Sequence, residues 1–272
     1  MQLDLDGVLL EINDNIAVLT LNDPNTLNAF SPRVLRAFAA ALGHVEDEAN
    51  EVRCLVMTGA GRGFSAGANL TSVAERSETE AANAAPKKLD AGAALETTYH
   101  PIMRRLRDLH CPIVTAVNGA AAGVGMSFAL MGDMVLAGRS AFFLQAFRRI
   151  GLVPDGGATW LLPRLVGMAR AKELAILGER LAAETALEWG LINRVYDDAS
   201  LMEEAMTLAQ ELSKGPMSLG LIRALMAEST DNNYENQLNM ERQLQRQAGQ
   251  SADFAEGVTA FLEKRDAKFK GR

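Results

Sequence analysis

One pattern narrows the fold more than any other: a short, wholly apolar run followed at once by a glycine-rich loop, and it occurs twice. Cys54-Leu55-Val56-Met57-Thr58 leads into Gly59, Gly61 and Gly63, then Phe64-Ser65-Ala66-Gly67-Ala68-Asn69-Leu70. Pro112-Ile113-Val114-Thr115-Ala116-Val117 leads into Asn118-Gly119-Ala120-Ala121-Ala122-Gly123-Val124-Gly125. Apolar runs without alternation mark strands covered on both faces, as in parallel sheets. A helix is expected from near Gly123 through Met126, Phe128, Leu130 and Met131. The architecture repeats while the sequence does not, which points to an α/β spiral or layered fold. Neither loop ends in Gly-Lys-Ser/Thr, and Gly119 to Gly123 lacks the Gly-x-Gly-x-x-Gly spacing. The usual nucleotide loops are therefore set aside.

The flanking chain supplies the remaining elements. Val8 to Glu11 and Ile16 to Leu21 read as strands around an Asn13-Asp14-Asn15 hairpin turn. Ser31-Pro32 fits an N-cap and a first-turn proline, with Val34, Leu35, Phe38, Ala41, Leu42 and Val45 at helical spacing. Residues 72–95 are rich in Ala, Glu and Lys and read either as a lid or as a polar surface helix. A helix around Tyr99 to Leu109 carries Arg104, Arg105 and Arg107, a basic face open to solvent in the plainest account. Met134 to Ala137, Ala141 to Leu144 and Leu191 to Tyr196 read as strands. Leu174 to Gly178 and Ala183 to Gly190 read as helical. Beyond Ser200 the pattern is helical, with a break at Lys214-Gly215-Pro216 and a last helix over Ala252 to Phe269.

With 272 residues and a net charge of −7, the chain lacks the basic face of a general nucleic-acid binder. An anionic small ligand held by backbone N–H groups stays open. Cys54 and Cys111 read as reduced, structural thiols. No uncharged run is long enough for a bilayer, and the start lacks a secretory signal; a cytoplasmic protein is the expectation.

Glycine loops at helix starts present unpaired N–H groups, which stabilise negative charge. Two such donors on one oxygen make an oxyanion hole; alternatively, the glycines only permit close packing. Asp155, in Val153-Pro154-Asp155-Gly156-Gly157, is the candidate acid/base. Its carboxylate either caps the helix that follows or, desolvated, carries a proton. His44, His100 and His110 offer no metal-ligand spacing, and no base accompanies Ser65 or Ser127.

Together these motifs resemble the crotonase, or enoyl-CoA hydratase/isomerase, superfamily. The resemblance is carried by Leu21-Asn22-Asp23-Pro24, Leu27-Asn28-Ala29-Phe30, Thr58 to Leu70, Ala116 to Gly125, Val153 to Gly157, Gly190 to Asn193 and Glu256 to Arg265. It implies an α/β spiral of ββα units over residues 1–199, with a helical region over 200–272 that builds trimers or hexamers. It also implies an acyl-CoA thioester as substrate, with coenzyme A belonging to the substrate and no separate cofactor or metal. Carried over by position, the oxyanion-hole donors are the N–H groups of Ala68 and Val124, the latter replacing a frequent glycine. Asn28, Ala29, Ala66, Ala68, Asn69 and Leu70 lie along coenzyme A, and Lys264, from this subunit or a neighbour, meets its phosphates.

Two departures choose among reactions. Ser127 and Phe147 stand where hydratases of this family carry their two glutamates, and neither is an acid. Asn69 also replaces a common aspartate. Asp155 matches the catalytic aspartate of several isomerases of the family; its surroundings and the tail from Leu238 resemble those that act on ring-epoxidised aromatic thioesters. The expected activity is an enoyl-CoA isomerase. The alternatives are a hydratase with an atypical water site, a dehalogenase-type reaction with Asp155 as nucleophile, and a silent thioester-binding scaffold. Phe143, Phe147 and Trp160 serve either the acyl pocket or the core.

Overall fold

The computed structural model describes residues 1–70 and 90–272. Among these residues, one sheet has seven strands in the order β1 (Gln2–Asp4), β2 (Val8–Asn13), β3 (Ile16–Leu21), β4 (Cys54–Gly59), β6 (Ile113–Val117), β8 (Met134–Gly138) and β11 (Arg194–Tyr196). It is antiparallel from β1 to β3 and parallel from β3 onward. A smaller sheet runs β10 (Arg180–Ala182), β9 (Phe142–Leu144), β7 (Ala120–Ala122) and β5 (Gly63–Ser65). Each turn of the chain thus lays one strand in the large sheet and the next in the small one: β4 then β5, β6 then β7, β8 then β9. This is the expected spiral. The short strands β1, β5, β7 and β10 were not foreseen, and three of them form most of the small sheet.

The apolar runs behave as their composition demands. Leu55 and Met57 of β4 enter the main core, while Cys54 and Val56 enter a second cluster with Leu201, Ala205, Leu208 and Ala209 of helix α6 (Leu201–Ser213). A strand packed on both faces has no polar side to show. Helix α1 (Pro32–Glu46) starts where expected, with Ser31 Oγ accepting from the Val34 N–H at 3.3 Å. The β2–β3 hairpin closes through Asp14 and Asn15, both at positive φ, which suits the twist of the flanking strands. Cys54 and Cys111 are free and buried, and burial pushes the Cys111 thiol up to about 12.

Between these, α2 (His100–Arg107) follows a π turn over Leu95–Tyr99, and α3 (Val124–Ala129) follows the second glycine loop. Helix α4 (Ala158–Leu177) bends at Gly167, which has φ 77° and ψ 160°. Helix α5 spans Ala183–Glu188; α7 (Ser218–Ser229), α8 (Tyr234–Gly249) and α9 (Ala252–Glu263) complete the chain. The last helix ends earlier than its composition suggests. Lys264 turns left-handed at φ 54°, and Asp253 binds the N–H groups of Lys270 and Gly271, folding the tail back. No helix among the described residues is long and apolar enough to cross a membrane. The reading of 72–95 as lid or surface helix falls, up to residue 89, outside the described residues.

The basic face of α2 is not simply solvated. Arg105 makes a two-pronged pair with Glu46 and Arg107 pairs with Glu228 and Asp231. These contacts join α2 to α1 and to the end of α7. The deepest such joint is Arg223 of α7, whose side chain is 8% exposed. It donates to Asp133 Oδ2 at 2.6 Å and to the carbonyls of Leu106, Arg107 and Leu109 just past α2. Asp133 is held high by burial, against the pull of Arg223. Arg223→Ala leaves a buried carboxylate and helix-end carbonyls without their donor; we expect a loss of about 3–5 kcal/mol of stability, read by urea denaturation.

Candidate active site

The two glycine loops and the Asp155 turn meet at one place. Gly67 sits at φ +93°, and a Cβ added there would lie 2.6 Å from the Ala122 carbonyl oxygen and 3.5 Å from the Val124 nitrogen. A Cβ on Gly125 would lie 2.6 Å from the Ser65 carbonyl oxygen. Only glycine lets the backbones approach this closely. A Cβ on Gly156, next to Asp155, would lie 2.9 Å from both Val124 Cγ2 and Ser127 Cβ. Residues 67–68, 124 and 155–156 are therefore neighbours, although the chain separates them widely.

The flanking N–H groups are committed and the middle ones are not. Gly67 donates to Ser65 Oγ, Asn69 to the Phe30 carbonyl, Gly123 to the Leu144 carbonyl and Met126 to the Gly123 carbonyl. Among the described residues, the N–H groups of Ala68 and Val124 have no acceptor. Val124 is the first residue of α3, with Gly123 as its cap, so its N–H belongs to the group a helix cannot satisfy internally. The geometry goes beyond glycines that merely permit packing, since it leaves two unused donors on adjacent loops.

Asp155 does not cap the following helix. The cap of α4 is Gly157, without a side-chain bond. Instead, Asp155 Oδ1 is buried and has no hydrogen-bond partner among the described residues. Desolvation raises its carboxyl to about 6, with His100 opposing the rise. An unpaired, desolvated carboxylate is a stronger base than a solvated one. Burial, and then Asp155 itself, hold the neighbouring Tyr99 hydroxyl in its neutral form. Tyr99 and His100 were not foreseen here. They lie more than fifty residues before Asp155, and no local motif marks them.

An aromatic cluster supports the loops from behind. Phe128 of α3 lies 4.3 Å from Phe30 and 5.3 Å from Phe38, centroid to centroid. Phe30 in turn binds both loops through its backbone, donating to the Gly67 carbonyl and accepting from Asn69 and Tyr99. Phe143 and Phe147 are core residues. Trp160 lies under the Arg164 guanidinium at 4.1 Å and donates to Asp231.

The other residues read from sequence separate into two groups. Ala66, Ala68 and Leu70 form an accessible strip, with Leu70 49% exposed. Asn28 is fully buried. Its amide donates to the Ala60 and Gly63 carbonyls and accepts from the Asp23 N–H, and its own carbonyl accepts from Ser65 Oγ. It braces the loop from inside, and Ala29 beside it is also buried. Lys264 ends α9 and makes no ion pair among the described residues. The widest cleft, about 1670 Å³, lies elsewhere, between His110, Arg53 and the α7–α8 pair. It contains neither Asp155 nor the free N–H groups, so we place the chemistry at the junction of loops.

Known proteins share this arrangement along the whole chain. The sequence pattern of the enoyl-CoA hydratase/isomerase family matches residues 11–272. The 1,2-epoxyphenylacetyl-CoA isomerase of Escherichia coli is 45% identical, over 98% of this chain and 100% of that protein. A probable enoyl-CoA hydratase of Rhodobacter capsulatus is 40% identical, over 96% and 97%. The crystal structure of an enoyl-CoA hydratase from Bacillus anthracis superposes with a TM-score of 0.88 at 28% identity, covering 98% of this chain and 100% of that one. The spiral of paired strands, the helical C-terminal region and the family match agree: this chain belongs to the enoyl-CoA hydratase/isomerase family and has the crotonase fold.

Proposed function

We propose that the protein is an enoyl-CoA isomerase in which Asp155 is the acid/base and the Ala68 and Val124 N–H groups hold the thioester oxygen. The observation that carries this is a single desolvated carboxylate beside two unused backbone donors, with Ser127 and Phe147 where two acids would serve water addition. Asp155 takes a proton from the carbon next to the thioester carbonyl. The charge moves to the carbonyl oxygen, where the donors stabilise it. The same carboxyl returns the proton two carbons further along, and the double bond moves by one position. One acid/base suffices, because the proton taken is the proton returned.

The coenzyme A portion lies along Ala66, Ala68, Asn69 and Leu70, with Lys264 of this or a neighbouring subunit at its phosphates. Phe254, Val258, Phe261 and Leu262 of α9 are 55, 44, 82 and 73% exposed, which supports association into a homotrimer or homohexamer through the C-terminal helices. The relative from Escherichia coli makes 1,2-epoxyphenylacetyl-CoA the second substrate to offer.

The test is to supply 3-enoyl-CoA and 2-enoyl-CoA separately. We expect double-bond migration from the first and little hydration of the second; fast hydration of 2-enoyl-CoA would establish an atypical hydratase instead. The carboxylate must be ionised to accept the proton. We therefore expect kcat/KM to fall about tenfold per pH unit below the Asp155 value of about 6 and to level off above it.

A further inference from the structure

Ser127 occupies a position that the proposed chemistry leaves without a task. It is wholly buried on α3. Its hydroxyl donates to the backbone carbonyl of Asp155 at 2.9 Å, across 28 residues of sequence. The turn it reaches is otherwise free to change shape. Gly156 and Gly157 have φ of +59° and +81°, and nothing lies near the space a Cβ would take on Gly151 or Gly157. Val153 is 79% exposed. Glycines on both sides of a turn permit many backbone conformations. Among the described residues, the Ser127 bond is the hydrogen bond that ties residues 153–157 to α3. The close approach of Gly156 to Ser127 and Val124 depends on the same seating.

We propose that Ser127 is a positioning residue: its hydroxyl fixes the Asp155–Gly156 turn against α3 and so aims the Asp155 carboxylate at the carbon beside the thioester held by Val124. The proposal rests on the reading of Asp155 as acid/base. It gives the serine a role that an acid at this position could not fill, since an ionised carboxylate has no proton to donate to the Asp155 carbonyl. Seating the turn also keeps the carboxylate out of water. Tyr99 and His100 are the titratable groups that act on Asp155, and neither is altered by a change at Ser127.

The experiment compares Ser127→Ala, Ser127→Cys and Asp155→Asn on 3-enoyl-CoA. For Ser127→Ala we expect kcat to fall about ten- to hundredfold, with KM within about twofold. The acidic limb of the pH profile should move down from about 6 toward the ordinary carboxylate range, as the loosened turn admits water. Ser127→Cys keeps the volume with a weaker donor and should fall between wild type and Ser127→Ala; it carries the test if the alanine variant does not fold. A Ser127→Ala enzyme with unchanged kcat and an unmoved acidic limb overturns the proposal while Asp155→Asn remains inactive. An active Asp155→Asn enzyme overturns the underlying acid/base reading, whatever Ser127 does.

Discussion

Replacing Asp155 by Asn should lower kcat for double-bond migration by about a thousandfold, the range lost when a positioned acid/base is removed. The amide is nearly isosteric, so the turn and α4 should be retained. The same variant should be more stable than wild type at neutral pH. The Asp155 carboxyl is raised from 3.8 to about 6 in the folded protein, so its ionised form is disfavoured by folding. The cost is absent below the unfolded value, grows between about pH 4 and 6, and is constant above. An uncharged Asn escapes it. With one side of the carboxyl still near solvent, we expect a gain of about 1–2 kcal/mol at pH 7 that vanishes below about pH 4. Thermal melts of both proteins across this range check the sign. A variant both inactive and more stable is the signature of a group held in place for chemistry.

The second large effect concerns a donor that no side-chain substitution can remove. Val124→Pro deletes the N–H at the first position of α3. Proline is well accepted there, because the missing N–H has no partner within the helix. The fold should survive, with circular dichroism and Tm close to wild type. Turnover should drop by about a hundred- to thousandfold, the loss found on removing one oxyanion donor. Val124→Ala keeps the N–H and should retain most of the activity. The contrast between the two separates a backbone donor from a packing role for the side chain.

The large sheet and α1 were legible in the sequence because their signals are long. The run at Cys54 and the spacing from Val34 to Val45 each integrate over several residues. The small sheet was not. Its strands are three residues each, built from Gly-Phe-Ser, Ala-Ala-Ala, Phe-Phe-Leu and Arg-Leu-Ala, too short for an alternation to register. Asp155 stood out because a carboxylate between proline and glycines is unusual. That its carboxylate is unpaired, and that its carbonyl takes the Ser127 proton, depends on side-chain directions that spacing does not encode. Asn28 shows the converse: its loop was identified, but its complete burial follows only from the bonds it makes to residues more than thirty positions away.

The small sheet acts as a ruler. Strands β5, β7 and β9 lie side by side, and the chain leaves them toward Ala68, Val124 and Asp155 in turn. Neighbouring strands are held about 4.8 Å apart by their own ladder, a length that no side-chain substitution changes. The separation of the two N–H groups is therefore set by peptide geometry rather than tuned residue by residue. What remains adjustable is the cargo of the third rung: the groups at 127, 147 and 155 can be exchanged while the grip on the carbonyl keeps its gauge. A scaffold that fixes one half of a reaction in its hydrogen-bond ladder leaves the other half open to change one side chain at a time.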